Sequence, residues 1–100
     1  MTAAVIRYQT RPEAADRNQH LIENVFAELA STAPPGLHYS SFRLADGVTF
    51  VHVVDGEGLS GLAAFQEFQR EFGDRLAVGP ARDAATLIGS YSAGVVPANG

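Results

Sequence analysis

The sequence predicts an α+β fold, a ferredoxin-like βαββαβ sandwich whose four-stranded antiparallel sheet carries both helices on one face. Three observations predict it. Two segments, Asn18 to Leu29 and Leu62 to Leu76, repeat apolar residues at three- and four-residue spacing, as helices with one buried stripe do. Two strand-like runs flank Asp46-Gly47, a strong hairpin signal. Finally, 100 residues, 46% of them hydrophobic and 18% charged, suit one compact domain with a single core.

The first strand is expected over Ala3 to Thr10, "AAVIRYQT". Thr10 and Glu13 then fit a capping box, and Pro12, Glu13 and Asp16 suit a first helical turn, where free amides and the dipole favour them. Asn18, Ile22, Val25, Phe26 and Leu29 form the helix stripe, and the paired prolines of "STAPPG" end it. Leu37 to Leu44 and Val48 to Asp55 make the hairpin. Gly56, Gly58 and Gly61 follow; no lysine accompanies them and their spacing matches no nucleotide fingerprint, so they read as a connection. Leu62, Phe65, Phe68, Phe72 and Leu76 line one side of the second helix. "VGPARD" is expected to break that helix before a last strand over Ala84 to Ser92. The domain therefore spans residues 1–92, and the patternless 93–100 is expected to be a disordered tail.

Composition excludes several functions. The net charge is −4, and the seven cations, all arginine, are scattered, so no basic stripe exists to displace counterions from a nucleic acid. Without cysteine there are no disulfides and no thiolate metal sites. No apolar run approaches the ~20 residues that span a bilayer, and no signal-type leader opens the chain, so a cytoplasmic location and no membrane partner are expected. With both helices on one side, the other sheet face is bare in a monomer. Val51, Val53, Leu37 and Tyr39 are expected there, and a second copy packing sheet to sheet would cover them.

His52 is the odd residue of the apolar run "GVTFVHVVDG". The hairpin register decides its surroundings, because a one-residue slip exchanges the two faces of a strand. A two-residue Asp46-Gly47 turn pairs Ser41 with His52 and Arg43 with Phe50. A three-residue loop, Ala45 to Gly47, pairs Ser40 with His52 and Phe42 with Phe50. The second register gathers Phe42, Leu44, Val48, Phe50 and Val54 on one face and is the expected one. It places His52 on the helix side, opposite Ser40 and diagonal to His38, and leaves Arg43 on the bare face with Arg7.

The stretches "GLHYSSFRLADGVTFVHVV", "LAAFQEFQREF" and "LIGSYS" resemble the dimeric α/β-barrel superfamily, closest to uncharacterised bacterial relatives of antibiotic biosynthesis monooxygenases. The resemblance runs from Val5 to Ser92. It implies two ferredoxin-like subunits paired as a homodimer, a ligand cleft between sheet and helices in each, and activities such as cofactor-independent oxygenation of polycyclic phenols. It also implies non-catalytic or stress-associated members. Haem-degrading members carry an asparagine on the first strand, a tryptophan near the end of the third and a histidine in the second helical region. This chain has Ile6 at the first position, no tryptophan, and no histidine in its second helix.

Set in such a cleft, His52 is a candidate general base for a phenolic or enolic substrate, since burial beside Phe50 and Val54 would keep its imidazole neutral. The alternative is a core histidine bonded to Ser40, Tyr8 or a backbone carbonyl. Tyr8, on the helix side with Ile6, is a candidate donor to a ligand carbonyl or a core tyrosine. His38 and Ser40 are candidate rim and pocket contacts, and Phe65 and Phe68 the apolar wall. Two histidines make half a metal site, and His20 lies at the edge of the helix stripe. No metal and no cofactor are expected. The function read from the chain is small-molecule binding, with a monooxygenase-like reaction on an aromatic metabolite or ligand binding without chemistry as the alternatives.

Overall fold

A computed structural model describes residues 2–92; the tail expected over 93–100 lies outside them. The elements are β1 (Thr2–Thr10), α1 (Ala15–Thr32), β2 (His38–Arg43), β3 (Thr49–Asp55), α2 (Ala63–Gln69), α3 (Phe72–Arg75) and β4 (Leu76–Thr86). The strands form one antiparallel sheet in the order β2-β3-β1-β4, so the two central strands are the first of each βαβ half. This is the ferredoxin-like α+β arrangement. Tyr8 and Phe50 from the sheet pack with Leu21, Ile22 and Val25 of α1 and Phe68 of α2 to make the core.

Four expectations are corrected. The capping box does not form: Thr10 remains in β1, and a 3₁₀ turn over Pro12–Ala14 leads into α1 with no side-chain cap. The second helix is divided. Arg70 turns extended and Glu71 takes φ 61°, so α2 ends and the short α3 sets off in a new direction. The "VGPARD" segment lies within β4, not before it. β4 is an edge strand, and Gln9 pairs with Val78 while Arg7 pairs with Ala81, leaving Gly79 and Pro80 in a bulge that tolerates a residue without an amide. β4 then ends at Thr86, which pairs with Thr2 of β1; Leu87 to Ser92 carry no strand.

The hairpin register is the fourth. Ser41, not Ser40, pairs with His52, and Arg43 pairs with Phe50. The Asp46 carboxylate accepts the amides of Val48 and Thr49 at 3.0 and 2.8 Å and the Thr49 hydroxyl at 2.5 Å. This draws Val48 and Thr49 into the turn, and the Leu44 amide closes the loop on the Thr49 carbonyl at 2.8 Å. Faces follow. Tyr39 and Ser41 join His52 on the helix side, and Phe42 points to the open face with 53% of its surface exposed. Arg43 reaches α1, where it pairs with Asp16 at 3.1 Å and Gln19 at 2.7 Å, rather than lying on the open face.

Candidate ligand cleft and its buried polar chain

A cleft of about 750 Å³ opens between the helix-side face of the sheet and the second helical region. Ile6 and Tyr8 of β1, Tyr39 of β2 and His52 and Val54 of β3 form its floor; Phe65, Phe68 and Phe72 form the opposite wall. Arg82 of β4 and Glu57, in the connection after β3, are its charged lining residues, and both are exposed. An aromatic wall with a small polar floor is the usual make-up of a small-molecule site. Tyr8, His52, Phe65 and Phe68 therefore meet in one place. His38 and Ser40 do not: both are exposed on the opposite face, with His38 across from Asp55. Their placement followed from the other register. His20 is exposed on α1, 4.0 Å from the Glu23 carboxylate. Among the described residues no group of three or more histidine or acidic side chains could hold a metal ion.

The polar floor is one connected chain. The buried imidazole of His52 has Tyr8 Oη 2.7 Å from Nε2, and both Tyr39 Oη and Ser41 Oγ 2.8 Å from Nδ1. Asn18 Nδ2, from α1, donates to Tyr8 Oη at 2.9 Å. Arg75 Nε donates to Asn18 Oδ1 at 3.0 Å. Arg75 is itself buried, and its two terminal nitrogens donate to the backbone carbonyls of Arg70 and Phe68. Its guanidinium also lies over the rings of Phe68 and Phe72, at 5.1 and 5.5 Å from their centroids. The new direction of α3 after Glu71 places it there. His52 sits between nearly parallel Tyr8 and Tyr39 rings, with Phe68 tilted against it.

Burial sets the ionisation. It pushes the His52 imidazole down from 6.5 to about 4, so the ring is neutral at pH 7. Burial also raises the hydroxyls of Tyr8 and Tyr39 above the ordinary tyrosine range, so both keep their protons. Desolvation lowers the Arg75 pKa, though not enough to discharge a guanidinium.

Solved structures share this architecture. Rv0793 from Mycobacterium tuberculosis superposes with a TM-score of 0.70 at 18% identity, over 91% of this chain and 98% of that one. An antibiotic biosynthesis monooxygenase superposes at 0.69 with 14% identity, over 89% of this chain and all of the other. The chain has the antibiotic biosynthesis monooxygenase-like fold. SnoaB, a cofactor-independent oxygenase from Streptomyces nogalater, shares this monooxygenase-like fold at a TM-score of 0.61 and 13% identity, over 89% of this chain and 94% of that one. No protein-family model and no curated protein matches the sequence.

Asn18, Tyr39, Ser41 and Arg75 were not among the site residues expected from sequence. Asn18 had a signal, being the one polar member of an otherwise apolar helix stripe. Tyr39 and Ser41 were visible only in the register set aside. Nothing in "REFGDR" marks Arg75 as buried.

Proposed function

We propose that this chain binds an aromatic metabolite in the cleft, as a homodimer, and acts on it as a cofactor-independent monooxygenase-like enzyme. The observation that carries this reading is the aromatic wall of Phe65, Phe68 and Phe72 facing a polar floor of Tyr39 and His52. The fold it shares with SnoaB supports the same reading. The reaction is the oxidation of a phenol to a quinone by O₂. The substrate gives up a ring C–H and a phenolic O–H hydrogen; one oxygen atom becomes the new carbonyl, and the other leaves as water with those two hydrogens. The chain's own contribution is to hold the ring, exclude water and stabilise the oxyanion that reacts.

A second reading, ligand binding without chemistry, is favoured by one observation: both His52 nitrogens already have partners within the protein. Oxygen uptake with a panel of polycyclic phenols, run beside thermal shift, separates the two. Under the enzymatic reading, some phenols both raise the melting temperature and consume O₂, and His52→Ala lowers turnover ~100-fold by disturbing the polar floor that stabilises the oxyanion. Stabilisation without oxygen uptake supports the second reading. No stabilisation by any phenol overturns both.

A further inference from the structure

We propose that Arg75 and Asn18 set the direction of the protons from Asn18 through Tyr8 to His52, so that His52 is held as the Nδ1–H tautomer and the cleft meets a hydrogen-bond donor at Tyr39. The proposal deepens, and rests on, the reading of the cleft as a ligand site.

A guanidinium has donors only, so the Asn18 atom that faces Arg75 Nε is the amide oxygen. The amide nitrogen of Asn18 must then face Tyr8, and Tyr8 Oη accepts its hydrogen. Tyr8 has one proton left to place. The other hydrogen-bond partner of its hydroxyl is His52 Nε2, so Tyr8 donates there and Nε2 is bare. The opposite tautomer would have Nε2–H donate to Tyr8, leaving a buried hydroxyl proton with no acceptor among the described residues. A neutral imidazole with a bare Nε2 carries its proton on Nδ1. Tyr39 and Ser41, both 2.8 Å from Nδ1, act toward it as acceptors and give it no proton. Of these two, Tyr39 lines the cleft, and with Ser41 donating to Tyr39 Oη the Tyr39 proton is left for a ligand.

Asn18 and Arg75 are thus positioning residues that act through Tyr8 and His52, and Tyr39 is the donor presented to the ligand. A site of this polarity recognises an acceptor oxygen: a phenolate, an enolate or a quinone carbonyl on an aromatic body. It does not offer a base to a neutral O–H. Direct proton abstraction by His52, one of the two roles read from sequence, gives way here to stabilisation of an anion that arrives or forms at Tyr39.

Nitrogen NMR of the imidazole rings tests the chain without any ligand. At neutral pH the native protein should show His52 protonated at Nδ1 and bare at Nε2. Asn18→Asp keeps an oxygen for Arg75 but replaces the donor to Tyr8 with an acceptor. Tyr8 then donates to the carboxylate, accepts from Nε2, and the tautomer reverses. A native Nε2–H ring, or a folded Asn18→Asp protein with no reversal, overturns the proposal. The native spectrum decides the matter even if that variant does not fold. For the ligand, calorimetry compares 1,4-naphthoquinone with naphthalene. The native protein should prefer the quinone, and Tyr39→Phe should shrink that preference by about tenfold. Equal binding of the two probes, binding of neither, or an unchanged preference in Tyr39→Phe removes the donor at Tyr39. An inactive protein with the expected tautomer sinks the oxygenase reading alone; an active one with the wrong tautomer sinks this inference alone.

Discussion

His52 is 4% exposed, and the groups facing it are Tyr8, Tyr39, Ser41 and Phe68, none of them charged at pH 7. Its pKa is near 6.5 in the unfolded chain and about 4 in the folded one. Between those values the unfolded state binds more protons, so stability falls as pH falls through this window. The contribution is fully present above the unfolded value and is lost by pH 4, an effect on the order of 3 kcal/mol. Urea unfolding of the native protein and of His52→Gln at pH 7 and pH 4.5 checks it. The native protein should lose more stability than the variant over that interval. Equal losses would mean that the imidazole is not buried neutral. The same residue explains the register. Each His52 nitrogen left unpaired costs about 1–3 kcal/mol, whereas turning Phe42 outward forfeits burial of similar size, about 1.5–3 kcal/mol, which a covering surface can restore. Ranking registers by apolar content alone therefore chose Ser40, because it assigned no cost to the imidazole.

Among the elements, the helices and the hairpin were legible in sequence because their signals are local. Periodic apolar residues and an Asp-Gly turn need no distant partner to be recognised. The break between α2 and α3 was not legible: Glu71 adopts a left-handed conformation that its residue type does not favour, at a cost of about 1–2 kcal/mol. The compensation comes from Arg75, whose donors reach Asn18 and two carbonyls. The connection after β3 depends on Gly56, which has φ 101°. A Cβ there would collide with the Gly36 carbonyl oxygen and stand 3.0 Å from Leu37 Cα. Both strain and backbone collision act against a side chain, so Gly56→Ala should cost about 2–4 kcal/mol. Thermal melting reads this directly, with Gly61→Ala, which meets nothing within 4 Å, as the control expected to change little.

At the scale of the molecule, the sheet is covered on one face only. Val5, Val51 and Val53 are half-buried on the open face and Phe42 is exposed beside them. Under the proposed sheet-to-sheet dimer, sedimentation should find two copies together at micromolar concentration. Phe42→Arg should then yield a monomer that keeps the His52 tautomer, because Phe42 is on the face away from the cleft. A native protein that sediments as a monomer would refute the assembly. No helix among the described residues is long and apolar enough to cross a membrane.

Element order and the ferredoxin-like plan follow from the chain alone, since helix stripes and an Asp-Gly turn are local signals; the helix-side placement of His52 is reached from sequence through a register that the structure overturns. The constellation around His52 does not follow from the chain alone. Its partners Ser41, Tyr39 and Tyr8 lie 11, 13 and 44 residues away, and Asn18 and Arg75, which orient Tyr8, are 57 residues apart. Which side chains meet is decided by a one-residue choice of strand register and by one left-handed residue in a broken helix. Contacts beyond the hydrophobic pattern of a single strand settle those two choices: the Asp46 carboxylate in the turn and the paired His52 nitrogens in the first, the donors of Arg75 in the second.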